Sequence, residues 1–379
     1  MKVVLFSRYP EEYDSPHGGV ESVTVILARA LAELEGFEIH LVTLERGLCG
    51  ERQAKDGDVY IHRLPGSGWP QLVDIWCGPG RKRLLKKIYQ LEPDIVHSHE
   101  TFGLALGGLR IPHVFTVHGF DHANIPAEGR RDVGNIRILL WKLAEKYGMA
   151  RQRDIISISP YVRKMIEPLT TADIYDIDNP LDKRFFELPK VEKTGRVLCV
   201  GWINERKNTL GSVKAFARAL AKGCDGTLVI AGQAGEPSYL EKVKAKIRQA
   251  GIEEKVEFLG HINHGQLAGE LARASVFMLP SLQENAPMAI SEAMAAGVPV
   301  IASDCCGMPY MVAEGKSGFL VDPLDSEQIA EKMALLLADE KLCKKFGTEG
   351  RKIARSRFHP QVVADKTRKV YETVIGKRR

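Results

Sequence analysis

The chain has 379 residues, 44% of them hydrophobic, which is too long for one ordinary core and ample for two of roughly 150–190 residues each. Its net charge of +5 is a slight basic excess spread over a mixed-charge chain, so it is not expected to bind nucleic acid. Only Val3–Phe6 precedes Arg8, far short of a signal-peptide core, and no later run is long enough to span a bilayer. The seven cysteines are odd in number and lack a CxxC pair, so reduced thiols and a cytoplasmic location are expected.

Lys2–Phe6 reads as a first buried strand, and residues 7–19 as a long loop ending in His17-Gly18-Gly19. A helix follows with Val20, Val23, Leu27 and Leu31 on one face. Paired glycines let a ligand approach the backbone closely, and on their own they suit a mere turn equally well. Further strands are predicted at Phe37–Thr43, Val59–Leu64, Asp94–His97, His113–His118, Ile155–Ser159 and Ile174–Ile177. Their alternation with helical stretches predicts a doubly wound, mainly parallel sheet. Arg81–Ile88 interleaves Arg81, Lys82, Arg83, Lys86 and Lys87 with Leu84, Leu85 and Ile88. That pattern suits a solvated helix face or, as the minority reading, peripheral contact with the anionic inner face of a membrane. His97-Ser98-His99 has the spacing of a metal pair without a third ligand in sequence reach, and it reads as structural. His118 differs, because it stands at the carboxyl end of a strand, where open α/β sheets place their ligands.

Residues 179–194, with two prolines and little periodicity, read as a linker. A second alternating half opens on the strand Arg196–Val200, followed by the loop Gly201–Asn208 and a helix marked by Leu210, Val213, Ala217 and Leu220 with Asn208 or Thr209 as its cap. A lysine in such a strand-to-helix loop, Lys207, is a compact charge suited to phosphate. Thr227–Gly232 and Val256–Gly260 are strands ending in glycine. The apolar strand Val276–Leu279 stops at Pro280, and a polar loop carries Glu284 and Asn285. Pro287 suits a first helical turn, Ile290, Ala293 and Met294 repeat at helical spacing, Gly297 ends the helix, and Pro299–Ala302 returns as a strand. The result is a βαβ unit whose loop lies at a strand's carboxyl end, beside a helix N-terminus that favours an anion such as phosphate. Glu284 and Glu292, with seven residues between them, flank that N-terminus and suit the hydroxyls of a sugar or ribose rather than the phosphate itself. Gly318–Asp322 is a last strand, followed by helices around Ile329, Met333 and Leu336, over Phe346–Arg355, and through Val362, Val363, Val370 and Val374.

Three features in order, Glu284, then Glu292-Ala-Met-Ala-Ala-Gly-Val-Pro-Val300, then the turn Gly307-Met308-Pro309, resemble the donor site of retaining glycosyltransferases of family 4, the GT-B group that uses nucleotide sugars. The resemblance covers nearly the whole chain, with shorter motifs outside this stretch. It implies the GT-B fold: two Rossmann-like, doubly wound parallel-sheet domains facing across a cleft. The acceptor-side domain would be residues 1–183, the donor domain 184–357, and a terminal helix, 358–379, would cross back. It also implies roles. Gly18 and Gly19, in a GGxE pattern with Glu21, lie over the donor diphosphate, and His118 contacts the donor sugar beside the reacting centre. Lys207 is the diphosphate lysine, Glu284 holds sugar hydroxyls and Glu292 ribose hydroxyls, with Asn285, Ala286, Pro287, Met288 and Ala289 lining the donor site at the helix start. The family's arginine after the glycine is replaced by Trp202, with Arg206 placed to supply the charge, and Ile177–Asp182 departs from the family's usual PNG turn. The implied activity is retaining transfer of a hexosyl group from a nucleoside diphosphate sugar to an unidentified glycan, lipid-linked or small-molecule hydroxyl, without metal or other cofactor. The alternative is a catalytically silent nucleotide-sugar-binding or scaffold subunit on the same fold.

Overall fold

The structure is a computed structural model and describes residues 1–14, 16, 18–69, 71–99, 101–120, 122–123, 135–189 and 195–378. The chain divides into two compact units, one made of Met1–Asp121, Asn135–Pro180 and Pro360–Arg379, the other built on Leu181–His359.

In the first unit, β1 (Lys2–Phe6), β2 (Glu38–Glu45), β3 (Arg52–Asp56), β4 (Val59–Pro65), β5 (Ile95–His99), β6 (His113–Val117), β7 (Asp154–Ser157) and β8 (Asp173–Asp176) form one sheet. Its order is β3-β4-β2-β1-β5-β6-β7-β8. β1 pairs with β2 on one side and β5 on the other, both parallel, so the strand order reverses about β1. Alternation along β1 sends Val3 and Leu5 into one core and Val4 and Phe6 into the other, as expected of a parallel sheet covered on both faces. The terminal helix Pro360–Gly376 belongs to this unit and buries Val363, Ala364, Val370, Tyr371 and Val374 in the same core as Val3 and Leu5.

β3 lies outside the strands read from the sequence. It runs antiparallel to β4, turning at Gly57, whose φ is +56°. As an edge strand it needs no apolar alternation, and Asp56-Gly57 was its only local signal. The basic stretch also needs correction. Within the helix Pro79–Leu91, Lys87 is buried and paired with Glu51, and Arg81 donates to the Ala105 carbonyl. Lys82, Arg83 and Lys86 remain exposed, so the five bases do not form one solvated face. No helix among the described residues is long and apolar enough to cross a membrane.

In the second unit, β9 (Arg196–Val200), β10 (Thr227–Ala231), β11 (Val256–Gly260), β12 (Val276–Leu279), β13 (Val300–Ser303) and β14 (Gly318–Val321) form an all-parallel sheet in the order β11-β10-β9-β12-β13-β14. The chain steps outward from β9 to β11, then returns to the other side of β9 as β12. The carboxyl ends of β9 and β12 are therefore the topological switch point, where such sheets leave a crevice for a ligand. The start of the segment read as a linker is core instead: Leu181, Phe185 and Phe186 are buried with Leu279, Ile290 and Met294, and the Leu181 N–H donates to the Phe358 carbonyl at 2.9 Å. Leu181 lies just before a 3-10 turn over Lys183–Phe186 that holds Phe185 and Phe186, three large apolar residues in six positions without periodicity. Residues 190–194 of that segment lie outside the described residues.

Candidate functional site

Two loops meet at the switch point of the second unit. The first leaves β9 at Gly201, whose φ is +138° and where a Cβ would come within 2.8 Å of Lys207 Cε. The backbone conformation thus requires glycine, and the aliphatic stem of Lys207 lies across it. Gly232, at the end of β10, repeats the logic, since a Cβ there would sit 1.9 Å from the Gly201 carbonyl oxygen. Asn204 Oδ1 accepts the Lys207 N–H at 2.9 Å, closing a turn. Asn208, left-handed at φ +53°, caps the helix Thr209–Ala221 by accepting from the Gly211 N–H. Lys207 is thereby held by the turn on one side and the helix cap on the other.

The second loop follows β12. The Leu282 N–H donates to the Arg206 carbonyl at 2.8 Å, tying the two loops together. The Gly307 N–H donates to the Glu284 carbonyl at 2.8 Å, and a Cβ on Gly307 would lie 1.7 Å from the Asn285 carbonyl oxygen. Its φ is −85°, so close approach rather than backbone conformation demands glycine in this turn. Cys306, at φ +57°, bonds Gln283 Oε1 through its thiol at 2.9 Å and braces the same loop.

The two loops bring three charges together. Lys207 Nζ lies 2.6 Å and an Arg206 terminal nitrogen 3.0 Å from the same oxygen of Glu284. That Arg206 nitrogen also donates to the Gln283 carbonyl at 3.3 Å, while its Nε is buried without an acceptor among the described residues. Two cations share one carboxylate, leaving a net positive charge. Next to it begins the helix Met288–Ala296, whose N-terminus no side chain caps. Pro287 is the cap residue, one position before the first turn, and contributes no N–H there. Fixed positive charge and an uncapped helix start together make a site for an anion.

Glu292, in the second turn of that helix, is 4% exposed. Burial pushes its carboxyl up to about 8; the negative charge of Asp182 adds to the shift and Lys207 opposes it. At neutral pH it is therefore largely a neutral acid, able both to donate to and to accept from a hydroxyl. A raised folded-state value means that the fold holds a proton which the unfolded chain releases near the ordinary 4.5. Stability from this group is full below that pH and is lost as pH rises toward 8. Glu292→Gln is expected to come within about 1 kcal/mol of the wild type in urea unfolding at pH 5 and to exceed it by roughly 3–5 kcal/mol at pH 8.5. An equal difference at both pH values would contradict the buried-acid assignment.

Asn285 and Ala286 in the second loop and Ala289 in the first turn of its helix are half-buried, and the other residues read from the sequence lie in the first unit. Gly18 is the extended cap residue of the helix Gly19–Ala32, with no side chain capping that end, and both glycines are exposed. His118 follows directly after β6, and its Nε2 is 3.0 Å from His99 Nδ1. Burial holds the His118 imidazole down at about 4, so it is neutral at physiological pH. His97 of the HxH stretch bonds Tyr371 and Thr116 through its two ring nitrogens, both at 2.6 Å, a structural arrangement. Among the described residues no cluster of His, Cys, Asp or Glu could hold a metal ion. Asp182 and Asn204 are neighbours of the site that sequence reading missed; an Asx turn before Lys207 is the one signal that reveals Asn204.

Comparison with known families decides the identity. The glycosyl transferases group 1 family matches residues 182–353, and glycosyltransferase family 4 matches residues 17–184. The chain belongs to the family 4, group 1 glycosyltransferases. Over 390 residues it is 26% identical to a GDP-mannose-dependent alpha-mannosyltransferase of Mycolicibacterium smegmatis, covering 95% of each chain. Sucrose-phosphate synthase of Thermosynechococcus elongatus superposes with a TM-score of 0.81 at 19% identity, covering 99% of both chains. HepE of Anabaena, in complex with UDP-glucose, gives 0.72 at 18% identity, covering 99% of this chain and all of that one, 100%. These structural neighbours share the GT-B architecture. In this glycosyltransferase the residue after Gly201 is Trp202, 50% exposed, and the second cation of the charge cluster comes from Arg206 instead.

Proposed function

We propose that this glycosyltransferase transfers a hexosyl group, with retention of anomeric configuration, from a nucleoside diphosphate sugar to a hydroxyl acceptor. The observation that carries the reading is the pairing of Lys207 and Arg206 with one oxygen of Glu284, beside the uncapped start of the Met288 helix. Breaking the anomeric C–O bond leaves its electron pair on the diphosphate, and the sugar passes through an oxocarbenium-like state. Lys207, Arg206 and the helix start are placed to stabilise the growing negative charge. Lysine has three N–H donors, so Lys207 retains Glu284 while binding phosphate. Glu284 takes the sugar hydroxyls, Glu292 the ribose hydroxyls, and His118 and the Gly18-Gly19 amides act as the family resemblance implies. The acceptor hydroxyl attacks the face that the diphosphate leaves and gives its proton to the departing phosphate, so no covalent carboxylate intermediate forms.

The alpha-mannosyltransferase relative is named as GDP-mannose-dependent, and the HepE structure holds UDP-glucose, which makes UDP- and GDP-hexoses the first donors to test. Thermal shift and donor hydrolysis against such a panel, without acceptor, test the reading. A stabilising donor that slowly releases its nucleoside diphosphate is the expected result. Stabilisation without release would support the silent subunit instead, and no stabilisation by any donor would end both readings. Peripheral contact with an anionic membrane would rest on Lys82, Arg83 and Lys86, the exposed bases of the Pro79–Leu91 helix. Absence of co-flotation with anionic liposomes at low salt would exclude it.

A further inference from the structure

His97 and His99 are two apart on β5 and so project from the same face of the sheet. On the neighbouring strand β6, His97 is paired with Val114 and His99 with Thr116. His97 is fixed through both nitrogens, by the Tyr371 hydroxyl and the Thr116 hydroxyl. It forms a wall against which His99 lies, with ring centroids 4.2 Å apart. On its other side His99 reaches His118. Their planes are 21° apart, their centroids are separated by 5.3 Å, and Nδ1 of His99 is 3.0 Å from Nε2 of His118. His99 is completely buried, and its Nε2 has no partner among the described residues.

From this arrangement we propose that His99 is a positioning residue that sets the tautomer of His118, so that His118 carries its proton on Nδ1 and acts there as a hydrogen-bond donor. The reasoning follows the protons. A neutral imidazole has one N–H and one lone pair. Were the proton of His99 on Nε2, a buried donor would have no acceptor among the described residues, which native proteins tolerate less readily than an underused acceptor. The proton therefore resides on Nδ1 and is donated to Nε2 of His118. That nitrogen is then an acceptor, and the neutral His118 ring must carry its own proton on Nδ1. Burial keeps His99 as well as His118 uncharged, so the alternative of a doubly protonated ring does not arise near neutral pH. Free neutral imidazole side chains in water favour the Nε2–H form, so the inferred state is imposed by the fold and visible in a spectrum. A His118 locked in this way is a donor toward a hydroxyl or phosphate oxygen and cannot serve as a general base through Nδ1.

The tautomer is independent of the proposed transfer reaction, whereas its effect on turnover rests on that reading. Long-range proton–nitrogen correlation spectra of the 15N-histidine-labelled full chain, without ligand at pH 7.5, test it, with the His118 signals assigned by their loss in His118→Asn. The expected spectrum shows a protonated Nδ1 and an unprotonated Nε2. His99→Leu is expected to return His118 to the Nε2–H form and lower kcat about tenfold, the worth of one hydrogen bond, with donor KM nearly unchanged. His99→Asn, whose amide group can stand where Nδ1 stood, should restore both the tautomer and the rate. Nε2–H in the wild type, or an unchanged tautomer in His99→Leu, overturns the proposal. Should His99→Leu fail to fold, the wild-type and His99→Asn spectra decide it. An Nδ1–H His118 in a protein that hydrolyses no donor would uphold the tautomer and count against the transferase reading alone.

Discussion

Alanine in place of Lys207 is expected to lower turnover with the preferred donor by roughly two to three orders of magnitude, the effect of removing one donor worth ~2.7–4 kcal/mol to a developing charge. The loss should fall mainly on kcat, because the diphosphate gains negative charge as the anomeric bond breaks and the missing ammonium matters most then. The fold should tolerate the change. Arg206 still pairs with Glu284 at 3.0 Å, so the carboxylate keeps a counterion, and the Lys207 stem covers a glycine rather than filling a core. Circular dichroism and a thermal unfolding midpoint within a few degrees of wild type would separate catalysis from folding. Turnover within a few-fold of wild type would remove Lys207 from the proposed mechanism.

Much of this arrangement was legible because parallel strands buried on both faces are short apolar runs, and their carboxyl ends are marked by the residue that stops them. Gly201, Gly232 and Pro280 are such marks, Gly201 being required by its φ of +138° and Gly232 by close approach to the Gly201 carbonyl. Elements without a buried face left no such trace. β3 reads Arg-Gln-Ala-Lys-Asp and is mostly exposed at the sheet edge, so it has no apolar pattern to find. Leu181, Phe185 and Phe186 failed in the opposite way: a 3-10 turn buries residues without the period that marks a helix or strand.

The family 4, group 1 membership, the GT-B fold and the general activity followed from motif order, but the electrostatics did not. Arg206 and Glu284 are 78 positions apart, and only the strand order β9-β12 brings their loops into contact. Likewise, sequence reading took Glu292 for an ordinary acid beside the helix start. Its near-total burial, with Asp182 adding to the effect, makes it a neutral acid in the unliganded protein. Charge state depends on what surrounds a side chain, and that surrounding is assembled from distant segments.

The sharing of Glu284 by two cations yields a prediction opposite in sign for binding and for turnover. Glu284→Gln removes the negative charge while keeping the backbone carbonyl that accepts from the Gly307 N–H at 2.8 Å, so the loop retains its brace. Lys207 and Arg206, with side chains 13% and 17% exposed, then lack their common counterion. Uncompensated charge of this kind is costly in a fully enclosed site, and the remaining solvent access reduces the cost here to about 1–2 kcal/mol. A lower unfolding midpoint is therefore expected in buffer without phosphate or sulfate, recovered on addition of a nucleoside diphosphate. The same unpaired cations should bind the free nucleoside diphosphate more tightly, by roughly tenfold at low ionic strength and less as salt screens the attraction. The intact donor gains at its diphosphate but loses the carboxylate that takes its sugar hydroxyls, so its affinity relative to the free diphosphate should fall. Turnover should drop by about two orders of magnitude or more, since orientation of the sugar contributes directly to reaching the transition state. Calorimetric titration with the diphosphate and with the donor, at two salt concentrations, separates these effects. Unchanged or weaker binding of the diphosphate in Glu284→Gln would mean that the cation pair does not face a phosphate, because an anion bound beside it cannot be indifferent to the loss of a neighbouring negative charge.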